Sequence, residues 1–161
     1  TTVRIVIVSC QKRGYNAMFQ GLTKELQTPK NLLAKLQFDF ARIKANPLDV
    51  YAAFDFFVTA EHVPDWVGDK PIKSREPLLK VVSHIANGAK HFRATKPKHK
   101  SVENVYVRKG AFQAGAFQSD AFDVGDLVIE LKGDEVKLFG SEISVRILAQ
   151  MVIEYWAARI T

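Results

Sequence analysis

Apolar positions recur along this chain with two periods, and the change of period divides it. Behind Thr28-Pro29, a cap followed by proline at the first helical position, Leu32, Leu33, Leu36, Phe40 and Ile43 return at helical spacing. That stripe predicts a helix facing a core, with helical character beginning near Gln20. Asn46-Pro47 repeats the start signal and opens a second helix through Tyr51, Phe54, Phe57 and Val58. It is expected to stop near Val63, because Pro64 disfavours helix at the residue before it. Glu76-Pro77-Leu78 opens a third helix, with Leu78, Val82, Ile85, Ala89 and Phe92 on one face. Short connections make the helices antiparallel neighbours.

Elsewhere the pattern is that of strands. Val3 to Val8 is a β-branched run ended by Gln11-Lys12-Arg13-Gly14, half of a strand pair completed by later sequence. Val105–Val107, Leu127–Leu131 and Val136–Phe139 read as further strands, with Gly133-Asp134 as a tight turn between the last two. Ser141 or Ser144 then caps a final helix carrying Ile147, Leu148, Met151, Val152, Tyr155 and Trp156. A five-residue repeat begins at Ala111, Ala116 and Ala121, each followed by phenylalanine. Three copies are too few to stack as a solenoid, so the repeat reads as strand and loop with phenylalanines dipping into the core. The expected architecture is an α+β single domain over 1–161: an arm at 1–16, helical hairpins over 20–93, a small antiparallel sheet inserted over 101–139, and a C-terminal helix over 141–160.

Composition narrows the class. A length of 161 residues, 47% of them hydrophobic and 11 of them phenylalanine, excludes a disordered chain and fits one core. No run approaches the roughly 18 apolar residues of a membrane span, so no membrane partner is expected. The single cysteine, Cys10, permits no intrachain disulfide and fits a reducing compartment, which makes the cytoplasm the expected location. The net charge is +6, and Lys90, Arg93, Lys96, Lys98 and Lys100 crowd into a stretch without an acid. Such a stretch contacts phosphates or serves as a solvated linker, and the sequence leaves both readings open.

Candidate chemistry is concentrated in Lys80 to Phe92. On a helix, Lys80, His84, Asn87, Gly88 and His91 fall in one sector opposite the apolar stripe. Glycine there costs about 1 kcal/mol relative to alanine, which points to close approach of another backbone at Gly88. His84 and His91 are separated by about 10.5 Å of helical rise, so they cannot share a zinc whose ligands lie about 2 Å away. Glu61, His62 and Asp65 end the preceding helix, and the hairpin brings them near Lys80, which reads as a structural polar cluster with His84 at its margin. No paired-ligand spacing, glycine-rich phosphate loop or nucleophile elbow occurs, so no metal and no cofactor is assigned.

Two segments carry a resemblance. Phe56-Phe57-Val58-Thr59-Ala60-Glu61-His62-Val63-Pro64-Asp65-Trp66, followed by His84-Ile85-Ala86-Asn87-Gly88-Ala89-Lys90-His91-Phe92, resembles a loose group of small uncharacterised bacterial and phage proteins with this type of alanine-asparagine-lysine-histidine helix. More distantly, the hairpin is similar to the HEPN superfamily, four-helix bundles that include metal-independent RNases and toxins. That resemblance implies a motif of arginine, polar residue and histidine, matched here by Asn87 and His91, with Ala86 where the arginine belongs. The missing cation would have stabilised charge on a phosphate. Two functions follow: a non-catalytic or degenerate HEPN-like bundle that binds a partner, whether RNA, DNA or protein, and self-associates as a homodimer; or an RNase in which His91 moves protons and Asn87 orients the phosphate.

Overall fold

A computed structural model of the chain describes residues 22–92, 100–109 and 125–160. The strand-like run at 3–8, Cys10, the basic residues Arg93, Lys96 and Lys98, and the repeat from Ala111 to Val124 lie outside the described residues.

The first helix, α1 (Pro29–Ala45), starts where its cap predicts. The Thr28 hydroxyl accepts the Asn31 N–H at 3.2 Å, and the Asn31 side chain accepts the Thr28 N–H at 3.1 Å, a reciprocal capping box. Residues 22–28 form turns and bends, so helix does not extend back toward Gln20. The second helix, α2 (Val50–Trp66), begins three residues later than Asn46-Pro47 suggests. Asn46 closes α1, donating its N–H to the Arg42 carbonyl at 2.9 Å, while its side chain accepts the Leu48 N–H at 3.2 Å. The cap of α2 is Asp49, whose carboxylate accepts the Ala52 N–H at 2.9 Å.

Pro64 does not end α2, because it sits in the last turn, and the helix runs on to Trp66. The stop is Gly68 at φ +79°, and the Asp69 N–H closes back on the Pro64 carbonyl at 2.9 Å, the longer bond of a Schellman cap. A short helix, α3 (Ile72–Arg75), lies in the stretch that reads as loop, and α4 (Pro77–His91) follows with proline in its first turn.

Residue pairing shows both hairpins to be antiparallel. Phe40 meets Phe56 at 6.5 Å between ring centres, and Arg42 reaches Asp55 at 2.7 Å, both around the same turn. Farther along α2, the Ser83 hydroxyl of α4 donates to Glu61 at 3.2 Å. The last helix, α6 (Val145–Ala157), is capped by Ser144, which accepts the Arg146 N–H at 3.1 Å. It packs Leu148, Ala149, Val152 and Trp156 into the core, against α1 and the sheet.

Among the described residues the sheet has the order β1 (Val102–Arg108), β2 (Asp126–Leu131), β3 (Glu142–Ser144), all antiparallel. The run Val136–Phe139 is a helical turn, α5, and not a strand. Gly133 at φ +77° sends the chain into a 3-10 turn, Gly140 at φ +81° turns it out again, and Ile143 takes the place beside Ile129. Leu138 is left exposed, the reverse of what a core strand requires. The fold is therefore α+β, a helical bundle with a small antiparallel sheet before the C-terminal helix. No helix among the described residues is long and apolar enough to cross a membrane.

Candidate functional site

The helix α4 carries the candidate residues, and its burial differs from the sequence stripe. Leu78, Leu79, Val81, Val82, Ser83 and Ala86 are buried, whereas Ile85 is half-buried and Ala89 exposed. Phe92, which caps the helix in a left-handed conformation at φ +61°, is 88% exposed. The apolar face thus loses its cover toward the C-terminal end of α4.

The polar sector does not act as one site. His84 is half-buried, and its Nδ1 accepts the backbone N–H groups of Ser101 at 3.2 Å and Val102 at 3.0 Å. This assigns the ring proton to Nε2 and makes the imidazole a tie between α4 and the start of β1. One N–H of the Asn87 side-chain amide donates to the Ser83 carbonyl one turn back at 2.7 Å, which ties the side chain to its own helix. His91 is exposed and makes no hydrogen bond or ion pair among the described residues, and Lys90 beside it and Lys100 beyond are also exposed. Ala86, where the HEPN motif has arginine, is fully buried. A Cβ built on Gly88 meets nothing within 4 Å among the described residues, so none of them supplies the expected backbone neighbour.

The polar cluster at the other end of the α2–α4 hairpin is real but differently composed. Glu61, buried on α2, accepts from the Lys73 ammonium at 3.4 Å as well as from Ser83. Lys73 also reaches Asp65 at 3.4 Å, and His62 Nδ1 lies 3.7 Å from Asp65. The central cation comes from α3. Lys80 forms no ion pair among the described residues, and His84 belongs to the β1 tie. Among the described residues no three histidine, cysteine or acidic side chains are grouped to hold a metal ion.

What the sequence does not display is an open groove of about 640 Å³ between the start of α2, the end of α4 and β1. Val50, Ala53, Phe54 and Phe57 line one side, Ile85, Gly88, Ala89 and Phe92 the next, and residues 102–107 of β1 the third. Directly paired residues of an antiparallel ladder share a face. Val105 opposite Ile129 and Val107 opposite Leu127 therefore point toward the core. Ile129 and Leu127 are buried, yet Val105 and Val107 are 43% and 49% exposed. Two inward-facing valines thus look into an apolar space that no described residue fills.

The outer face of the sheet is closed differently. Tyr106 and Arg108 of β1 both bond the Glu142 carboxylate of β3, spanning β2 and covering Val128, which is buried. The Tyr106 hydroxyl and then the Arg108 guanidinium hold the Glu142 carboxyl below its ordinary range. The Val105 N–H is taken by the Asn104 side chain at 2.9 Å. No family model matches this chain, and comparison with curated proteins and with solved structures finds no significant similarity.

Proposed function

We propose that this protein is a non-catalytic binding module, a degenerate HEPN-like bundle whose partner site is the groove beside β1. One observation carries the reading: Val105 and Val107 face inward and stay about half exposed above the groove. An apolar hollow beside a strand suits an extended apolar segment, whose main chain pairs along β1 while alternate side chains enter the hollow. Catalysis is disfavoured by the same geometry. Ala86 is buried, the Asn87 amide donates back to Ser83, and among the described residues His91 stands exposed with no partner converging on a reacting phosphate.

The test is titration with a fluorescent ten-residue strand-forming peptide of alternating valine and threonine. Val107→Asp should abolish binding while leaving the unfolding midpoint within about 0.5 kcal/mol, as surface changes do. Undiminished binding by that variant would remove the groove as the site. Cleavage of RNA in EDTA that is lost in His91→Ala at an unchanged thermal midpoint would overturn the non-catalytic reading. Exposed Lys90 and Lys100 favour a second partner class, nucleic acid, held by its phosphates. Affinity of that kind falls steeply between about 50 and 200 mM salt, and a flat salt dependence refutes it.

A further inference from the structure

We infer that His84 is a proton-operated latch between the helical bundle and the sheet: the neutral imidazole holds the start of β1 against α4, and a second proton on the ring releases it. The latch concerns the seam between α4 and β1, and it stands whether or not the groove takes a segment.

The direction of the two hydrogen bonds carries the inference. Nδ1 of His84 accepts the backbone N–H groups of two successive residues, Ser101 at 3.2 Å and Val102 at 3.0 Å. A neutral imidazole has one nitrogen that accepts and one that donates, whereas both nitrogens of the imidazolium carry protons. A histidine that donates keeps its bond on protonation; one that accepts loses it. At this ring the second proton would place a third N–H against two that already point at the same atom, so both bonds fail together.

The place that is held is also one that can move. The β1–β2 ladder shifts register between Val102 and Asn104, so the first residues of β1 are joined to the rest of the strand through an irregularity. Beyond it, Asn104 to Arg108 keep their pairing with β2, and release parts β1 from α4 without stripping the strand from the sheet. Ser101 is 3% exposed, so its N–H gains little from water while the seam stays closed. Loss of the acceptor therefore favours opening, which lets water reach the orphaned amide.

The charges of the elements packed against α4 act on the ring in both senses. Those of α2 and α3 are already joined to one another, Glu61 and Asp65 to Lys73 and Asp69 to Arg75. Across the seam Glu103 is joined to Lys132, and in the 3-10 turn Asp134 is joined to Lys137. Among the described residues this leaves buried Glu135 of that turn to favour a charged ring, and Lys80 one turn back on α4, with Arg146 at the start of α6, to oppose it. Histidine ordinarily titrates near pH 6.5, so the latch is closed above about that value and opens as the pH falls below it.

The test is a magnetic resonance titration of the full chain from about pH 8 to about pH 4.5, a range that brackets the ordinary histidine value. The amide shifts of Ser101 and Val102 should follow the His84 ring with the same midpoint, and their protection from exchange should fall at least about ten-fold across it, while the amides of α2 keep theirs. In His62→Gln/His91→Gln/His99→Gln, which leaves His84 as the sole imidazole, the coupling should persist. In His84→Asn, whose side-chain carbonyl accepts at every pH in the range, it should vanish. The inference is overturned if the two amides hold their shifts and protection while the ring titrates, or if the ring takes no second proton within the range. A response that is lost in the triple variant, or that survives in His84→Asn, assigns the effect to another group and overturns it as well. Should His84→Asn fail to fold, the triple variant alone decides, because its one remaining imidazole either moves the two amides or does not.

Discussion

Replacing His84 by alanine tests whether the histidine in the middle of the candidate helix is a structural tie. The perturbation removes one acceptor that serves two backbone donors, the N–H groups of Ser101 and Val102. Leaving a buried donor unsatisfied costs about 1–3 kcal/mol. Ser101 is 3% exposed, so its N–H bears that cost in full, whereas half-buried Val102 recovers part of its bonding from water. The expected loss is about 2–3 kcal/mol, which in a domain of this size lowers the thermal midpoint by roughly 4–12 °C. Urea unfolding followed by circular dichroism gives the stability. Amide exchange at Ser101 and Val102 gives the site, and both amides should exchange faster in the variant than neighbours in α2. His84→Asn, which keeps a side-chain acceptor, should recover part of the loss. A His84→Ala protein within about 0.5 kcal/mol of the parent, with exchange at 101 and 102 unchanged, would show that the bonds contribute nothing and return His84 to the functional candidates.

Lys73→Ala should cost about 2 kcal/mol in urea unfolding, since it leaves Glu61, 8% exposed in its side chain, without its cation, whereas Lys80→Ala should be neutral. Equal losses for the two lysines would refute the assignment of the central cation to α3. Glu142→Gln should lower the unfolding midpoint above pH 4.5, the ordinary carboxylate value. Because the folded-state pKa is depressed, the Glu142 contribution is present above that value and lost as pH falls through and below it, so the two proteins should converge in acid; a gap independent of pH contradicts this. Ala86→Arg, which restores the residue of the HEPN motif, should destabilise by at least about 4 kcal/mol through overpacking and a buried guanidinium, and should gain no RNA cleavage. A stable Ala86→Arg protein that cleaves RNA would revive the nuclease reading.

Local signals were the legible ones. Thr28-Pro29, Pro77 and Ser144 mark helix starts because a cap involves residues only a few positions apart. Asn46-Pro47 misled for the same local reason: asparagine serves a helix end and a turn as readily as a start, and Asp49 three residues on does the capping. Pro64 alone signals a stop, but the last turn of α2 accommodates it, and Gly68 supplies the positive φ that ends the helix. Val136 to Phe139 carries the hydrophobicity of a strand, but its two flanking glycines at positive φ set the backbone. Helical periodicity placed His84, Asn87 and His91 in one sector, yet their separate fates depend on Ser101, Ser83 and solvent, which no periodicity encodes. The groove was illegible for a related reason. It is formed jointly by α2, α4 and β1, elements far apart in sequence.

The turn at 46–49 fixes the rotational phase of the bundle. Asn46 terminates α1 and Asp49 initiates α2, so both ends of the connection are anchored by hydrogen bonds and no residue is spare. Inserting a single residue on the α2 side of Asp49 would turn every later side chain of that helix by about 100° relative to its cap. Phe56, Ala60 and Val63 would leave the core together, and Phe54 and Phe57 would leave the groove. Core and groove are thus set by one angular register, and a change of length at this turn cannot alter one without the other.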